Sequence, residues 1–169
     1  MSGLTRLNAL PVDDAERDLL TCCGSRAWAR AMADARPFAS EDALLRRADE
    51  AWWALGEDDW REAFRSHPKI GEKKAEAGQT DRERAWSSGE QAGMQSAAEA
   101  TQAALAAGNR EYETRFGFIY IVCATGKSAD EMLAILTARL GNDADAEIRV
   151  AAEEQRKITR IRLQKLLAG

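Results

Sequence analysis

The 169-residue chain is 45% hydrophobic and 31% charged, an ordinary globular composition with room for one substantial core. Its net charge of −4, with acids and bases interleaved, excludes the basic stripe that a nucleic-acid surface needs. One histidine and three cysteines, two of them adjacent (Cys22, Cys23), leave no disulfide framework and no structural zinc set.

No apolar run reaches the ~18 residues that cross a bilayer, and the first residues lack the apolar core of a secretory signal, so a reducing, cytoplasmic setting is expected. Repeats, low-complexity tracts and linkers are absent, which predicts a single compact domain spanning residues 1–169.

Helix signals dominate in chain order. Asp13, with Glu16 three residues on, predicts a helix carrying Leu19 and Leu20 and stopping at Gly24. Residues 25–35 place Trp28, Ala31, Met32 and Ala35 at helical spacing before Pro37. Ser40 caps a third helix with Leu44, Ala48, Ala51, Trp52 and Leu55 on one face and Gly56 as its close. A short helix follows from Glu57, with Trp60, Ala63 and Phe64, and must stop near His67 because Pro68 disfavours a helical residue before it.

Residues 69–86 are polar and predict a loop. An alanine-rich helix is expected from about 89 to 107, ended by Gly108 and Asn109, with a further helical turn or two to Arg115. Residues 117–124 break the pattern: Phe118, Ile119, Tyr120, Ile121 and Val122 predict buried extended chain, and Cys123 within it is a small hydrophobe. A lone strand leaves backbone groups to be bonded by loops or by a ligand. Ser128 with Glu131 caps a helix through Leu140, and a last long helix runs from about 145 to 167. The expectation is an all-α fold of seven or eight helices with one buried extended segment at 117–124.

Three features carry chemistry. His67, the only side chain with an ordinary pKa near neutrality, falls on the stripe of Trp60, Ala63 and Phe64, either as a packed histidine or as an acid–base group. Ser87 and Ser88 each stand three residues before an acid or amide, Glu90 and Gln91, so two overlapping capping boxes are written where one suffices. A helix start there also offers amide donors to an anion. Arg162 lies roughly 40° on the helical wheel from Ile158 and Leu166, in the middle of an apolar face. It snorkels, pairs with a buried carboxylate such as Glu90, or holds a ligand anion in two-pronged fashion. The run Ala124-Thr125-Gly126-Lys127-Ser128 imitates the end of a phosphate-binding loop, but Ile121 stands where the first glycine is required.

Together, His67-Pro68-Lys69-Ile70-Gly71, then Ser87-Ser88-Gly89-Glu90-Gln91-Ala92-Gly93, then Asn109 and Tyr112 before Phe116-Gly117-Phe118, and the ending Lys157-Ile158-Thr159-Arg160-Ile161-Arg162-Leu163 resemble the 2-oxo-4-hydroxy-4-carboxy-5-ureidoimidazoline (OHCU) decarboxylase family. Lys69-Ile70-Gly71 departs from the Asp-Leu-Ala of some members, and Gly89 stands where a side chain is often found. The resemblance implies an all-helical homodimer without metal or organic cofactor, acting on a small-molecule substrate, OHCU, to give (S)-allantoin in uric acid degradation. It implies His67 and Glu90 as catalytic residues. It further implies Pro68, Ser87, Ser88, Gly89, Gln91, Arg162 and the segment Tyr120, Ile121, Val122, Cys123 and Ala124 as substrate-binding. The alternatives are a helical interaction module, or a lyase or hydrolase acting on another ureido or purine-derived acid in the same pocket.

Overall fold

The computed structural model describes residues 1–68 and 99–169. Among the described residues there are eight helices and no paired strands: α1 (Gly3–Ala9), α2 (Val12–Leu20), α3 (Arg26–Asp34), α4 (Glu41–Trp53), α5 (Glu57–Arg65), α6 (Glu99–Phe116), α7 (Ala129–Arg139) and α8 (Ala144–Ala168). The all-α expectation holds. Among these residues no helix is long and apolar enough to cross a membrane. The chain divides into two compact units, Met1–Ser66 with Gln155–Gly169, and His67–Glu154.

In the first unit, serine caps do the local work. Ser25 and Ser40 accept from Trp28 N and Ala43 N, satisfying donors that a helix start leaves open. α2 begins differently from expectation: its cap is Pro11, which makes no side-chain bond, and Asp13 and Asp14 sit in the first turn. There the two carboxylates meet the positive end of the helix dipole, so the acids stabilise the start without capping it. Gly56 is the cap that opens α5; it does not close α4, which ends at Trp53 with Ala54 as its cap.

α3 packs on α2, α4 and α5. Trp28 is fully buried and its indole N–H donates to Ala48 O at 3.1 Å, fixing α3 on α4. Trp60 likewise reaches Trp52 O at 3.0 Å. These two buried indoles thus find acceptors and avoid unpaired donors in the core.

In the second unit, α6 packs against α7. The predicted stop at Gly108 does not occur, because α6 continues to Phe116. A Cβ at Gly108 would stand 2.5 Å from the Leu136 Cδ2 of α7, so this glycine serves close helix packing. At the other end of α7, Ser128 and Glu131 form the full reciprocal capping box, as expected. That accounts for Ser128, the last residue of the phosphate-loop imitation.

Candidate active site

α5 ends at Arg65 with Ser66 as its cap, and the following His67 is buried, as are Trp60, Ala63 and Phe64 of the predicted stripe. Pro68 is half-buried. Proline ends the helix and so sets the imidazole just past its last turn.

Residues 117–124 are non-helical, and Tyr120, Ile121, Val122, Cys123 and Ala124 are all buried. Side chains take the place of a neighbouring strand. Arg139 Nη1 donates to Ile121 O at 2.6 Å, and Cys123 N–H donates to Glu154 Oε1 at 3.0 Å. Lys127 Nζ donates to Cys123 O at 2.7 Å. Tyr120 is held by its hydroxyl on Met132 O at 3.0 Å, and burial pushes its pKa above the usual phenol range, keeping it a donor. Where bonding by loops or by a ligand was expected, helix side chains hold Ile121 O (Arg139) and Cys123 N–H (Glu154), and Lys127 holds Cys123 O.

Behind the segment lies a network that sequence reasoning did not single out. Arg139 is 6% exposed and Glu147 0%. The guanidinium donates to Glu147 Oε2 through Nε at 2.8 Å and through Nη2, and Nη2 also reaches Tyr112 Oη at 3.1 Å. Tyr112 donates its hydroxyl to the same carboxylate oxygen, and Asn142 Nδ2 donates to the other at 3.0 Å. Burial disfavours the Arg139 cation, but the Glu147 bonds together with the fields of Tyr112, Glu147 and Tyr120 outweigh it and raise its pKa. Burial holds Tyr112 protonated, pushing its pKa up. The signal was available: Met132, Leu136 and Arg139 stand at i, i+4 and i+7, so the wheel that marked Arg162 also places Arg139 on an apolar stripe.

Arg162 belongs to the first unit and is 6% exposed, which removes snorkelling from its alternatives. It completes a buried polar stripe on α8 with Gln155 and Thr159, bonded to each other at 2.9 Å. The stripe lies beside Cys23, where the Ser25 N–H, Thr159 and the Arg162 charge all favour the thiolate. Burial nonetheless dominates and pushes this thiol up to about 12. Ser87, Ser88, Gly89, Glu90 and Gln91 lie outside the described residues. Of the expected site, His67 and residues 120–124 belong to the second unit.

A sequence model of OHCU decarboxylase matches residues 8–164, nearly the whole chain. The chain belongs to the OHCU decarboxylase family. It is 34% identical over 153 residues to the uric acid degradation bifunctional protein TTL of Arabidopsis thaliana, covering 90% of this chain and 47% of that protein. It is 41% identical over 59 residues to the OHCU decarboxylase of Amia calva, covering 35% of this chain and 34% of that one. The aligned stretch thus spans less than half of each of these two relatives. A solved OHCU decarboxylase, crystallised in the presence of (S)-allantoin, superposes with a TM-score of 0.77 at 32% identity, covering 89% of this chain and 96% of that one. An (S)-allantoin synthase shares the fold alone, at TM-score 0.72 and 18% identity over 97% of this chain and 53% of that one.

Proposed function

We propose that residues 1–169 act as one OHCU decarboxylase domain, converting OHCU to (S)-allantoin with His67 as the acid–base group. Near-complete coverage of a family member crystallised with (S)-allantoin carries this reading. It is supported by His67 and 120–124 being buried in this chain, as a site shielded from water requires.

The chemistry asks little of the protein. The substrate carboxylate leaves the ring carbon that also carries the hydroxyl, next to the electron-accepting C=N bond of the ring. As that C–C bond breaks, its electron pair passes into the ring as an enolate-like anion and carbon dioxide departs. The hydroxyl on that carbon gives up its proton as it becomes a ring carbonyl, and one proton delivered to one face of the neighbouring ureido-bearing carbon completes (S)-allantoin. The ring itself is the electron sink, so no organic cofactor is called for. Three tasks remain: turning the carboxylate out of the ring plane, stabilising charge on the ring oxygen, and donating the proton.

His67, oriented by Glu90, supplies the proton. Amide donors of the 120–124 backbone stabilise the charge. Arg162 and Gln91 hold the carboxylate or ureido end, where a planar guanidinium fits a carboxylate with two parallel bonds. Pro68, Ser87, Ser88 and Gly89 complete the walls. A homodimer in the cytoplasm belongs to the same reading.

The test couples urate, a urate oxidase and a hydroxyisourate hydrolase, with circular dichroism following optically active allantoin above its slow racemic background. The intact protein should accelerate the signal. His67→Asn should lower turnover by ~10²- to 10⁴-fold, the usual worth of a positioned acid–base group, with melting unchanged. Near-normal turnover of that variant would overturn the assignment.

A further inference from the structure

In a trans peptide the carbonyl and the next N–H point in opposite directions, so whatever grips one fixes the aim of the other. The Ile121–Val122 peptide is trans, since Arg36–Pro37 is the one cis bond among the described residues. Its carbonyl is taken by Arg139 Nη1 at 2.6 Å, and no described residue takes up its Val122 N–H. One peptide further on, the Cys123 N–H is committed to Glu154 Oε1 at 3.0 Å. Of these two adjacent amides, one is therefore spent on the protein, while the other is aimed away from a buried cation.

Arg139 is well built to hold that aim. Its other bonds go to Glu147 and Tyr112, and its guanidinium carbon lies 4.9 Å from the centre of the Tyr120 ring, inside the same segment. Four bonds to three partners leave the fork no freedom to rotate. A charged donor on the carbonyl also polarises the peptide and strengthens the N–H on its far side.

We infer that Arg139 is a positioning residue for decarboxylation, clamping Ile121 O so that the Val122 N–H is the backbone donor to the charge developing on the substrate. Arg139 touches no substrate and acts through the peptide. The inference rests on the decarboxylase reading above. It also narrows that reading, because it removes the Cys123 N–H from the donors.

Arg139→Lys tests it. A lysine keeps the positive charge and the pairing with Glu147, but a single ammonium lacks the fork that serves Glu147 and Ile121 O together. With OHCU, kcat per folded molecule should fall about 10- to 100-fold while KM stays within about twofold, the signature of a contact made only in the transition state. The control is Leu105→Ala, a fully buried apolar residue of α6, which should lower the melting temperature and leave kcat per folded molecule intact. An Arg139→Lys protein that folds and turns over at the normal kcat overturns the proposal.

The wild-type protein gives a second answer should Arg139→Lys fail to fold. On titration of ¹⁵N-labelled protein with (S)-allantoin, the Val122 amide should shift more than the Cys123 amide; the reverse order overturns the clamp. Absence of turnover in the wild type sinks the decarboxylase reading, and the inference with it. Normal turnover with the wrong amide responding sinks the inference alone.

Discussion

Arg139 and Arg162 are equally hidden, each 6% exposed on the stripe of a helix, yet their surroundings differ. Arg139 is met by a carboxylate, a phenol and a carbonyl, all at bonding distance. Arg162 stands on a stripe with an amide and a hydroxyl, beside a thiol that burial keeps neutral. A buried cation locked to a carboxylate is part of the scaffold; Arg162, on a stripe with the Gln155 amide and the Thr159 hydroxyl, is the cation proposed above to hold a substrate anion. On the proposed reading the contrast separates holding the site's backbone from holding a substrate, and each side of it breaks in a different measurement.

The largest effect is expected at the scaffold. Glu147→Ala leaves Arg139 buried without its carboxylate, and removing one partner of a buried pair costs about 3–5 kcal/mol. Urea denaturation should show that loss as a lower midpoint at constant slope. A loss below about 1 kcal/mol would mean that the network is ornamental and that the two arginines do not differ in kind.

Arg162→Lys should do the opposite. The charge and the stem remain, so stability should change by less than about 1 kcal/mol, while losing a two-pronged carboxylate contact should lower kcat/KM by about 10- to 100-fold. If that variant instead melts early with normal kcat/KM, Arg162 is a scaffold residue and the contrast fails.

How much of this was legible follows the same division. Local signals carried far: the Ser40 cap, the Ser128–Glu131 box and the Pro68 stop are one-turn chemistry, and the structure reproduces each. The break at 117–124 was visible because β-branched and aromatic residues crowd there. Gly108 misled because a glycine that ends a helix and one that admits a neighbour look alike in one dimension; only Leu136 of α7 decides between them. Arg139 was missed for a related reason. Its partners, Tyr112, Ile121 and Glu147, come from three separate stretches, and no spacing rule joins them. Arg162 was marked, since an arginine amid an apolar face is visible on a wheel; what it faces was not.

The smallest effect concerns the thiol beside Arg162. Burial holds Cys23 neutral with its pKa pushed from 9.0 up to about 12, while Ser25 N–H, Thr159 and the Arg162 charge pull it down. The folded protein therefore keeps a proton that the unfolded chain releases above pH 9.0. This contribution to stability is fully present below that pH and is lost as pH rises toward 12, at about 1.4 kcal/mol per unit. Between pH 9 and 10 the wild type should lose stability more steeply than Cys23→Ala by about that slope, read from urea midpoints at each pH. Equal slopes would mean that the guanidinium offsets burial and stabilises a thiolate in place. Arg162 would then hold the Cys23 thiolate, and its claim on the substrate carboxylate would weaken accordingly.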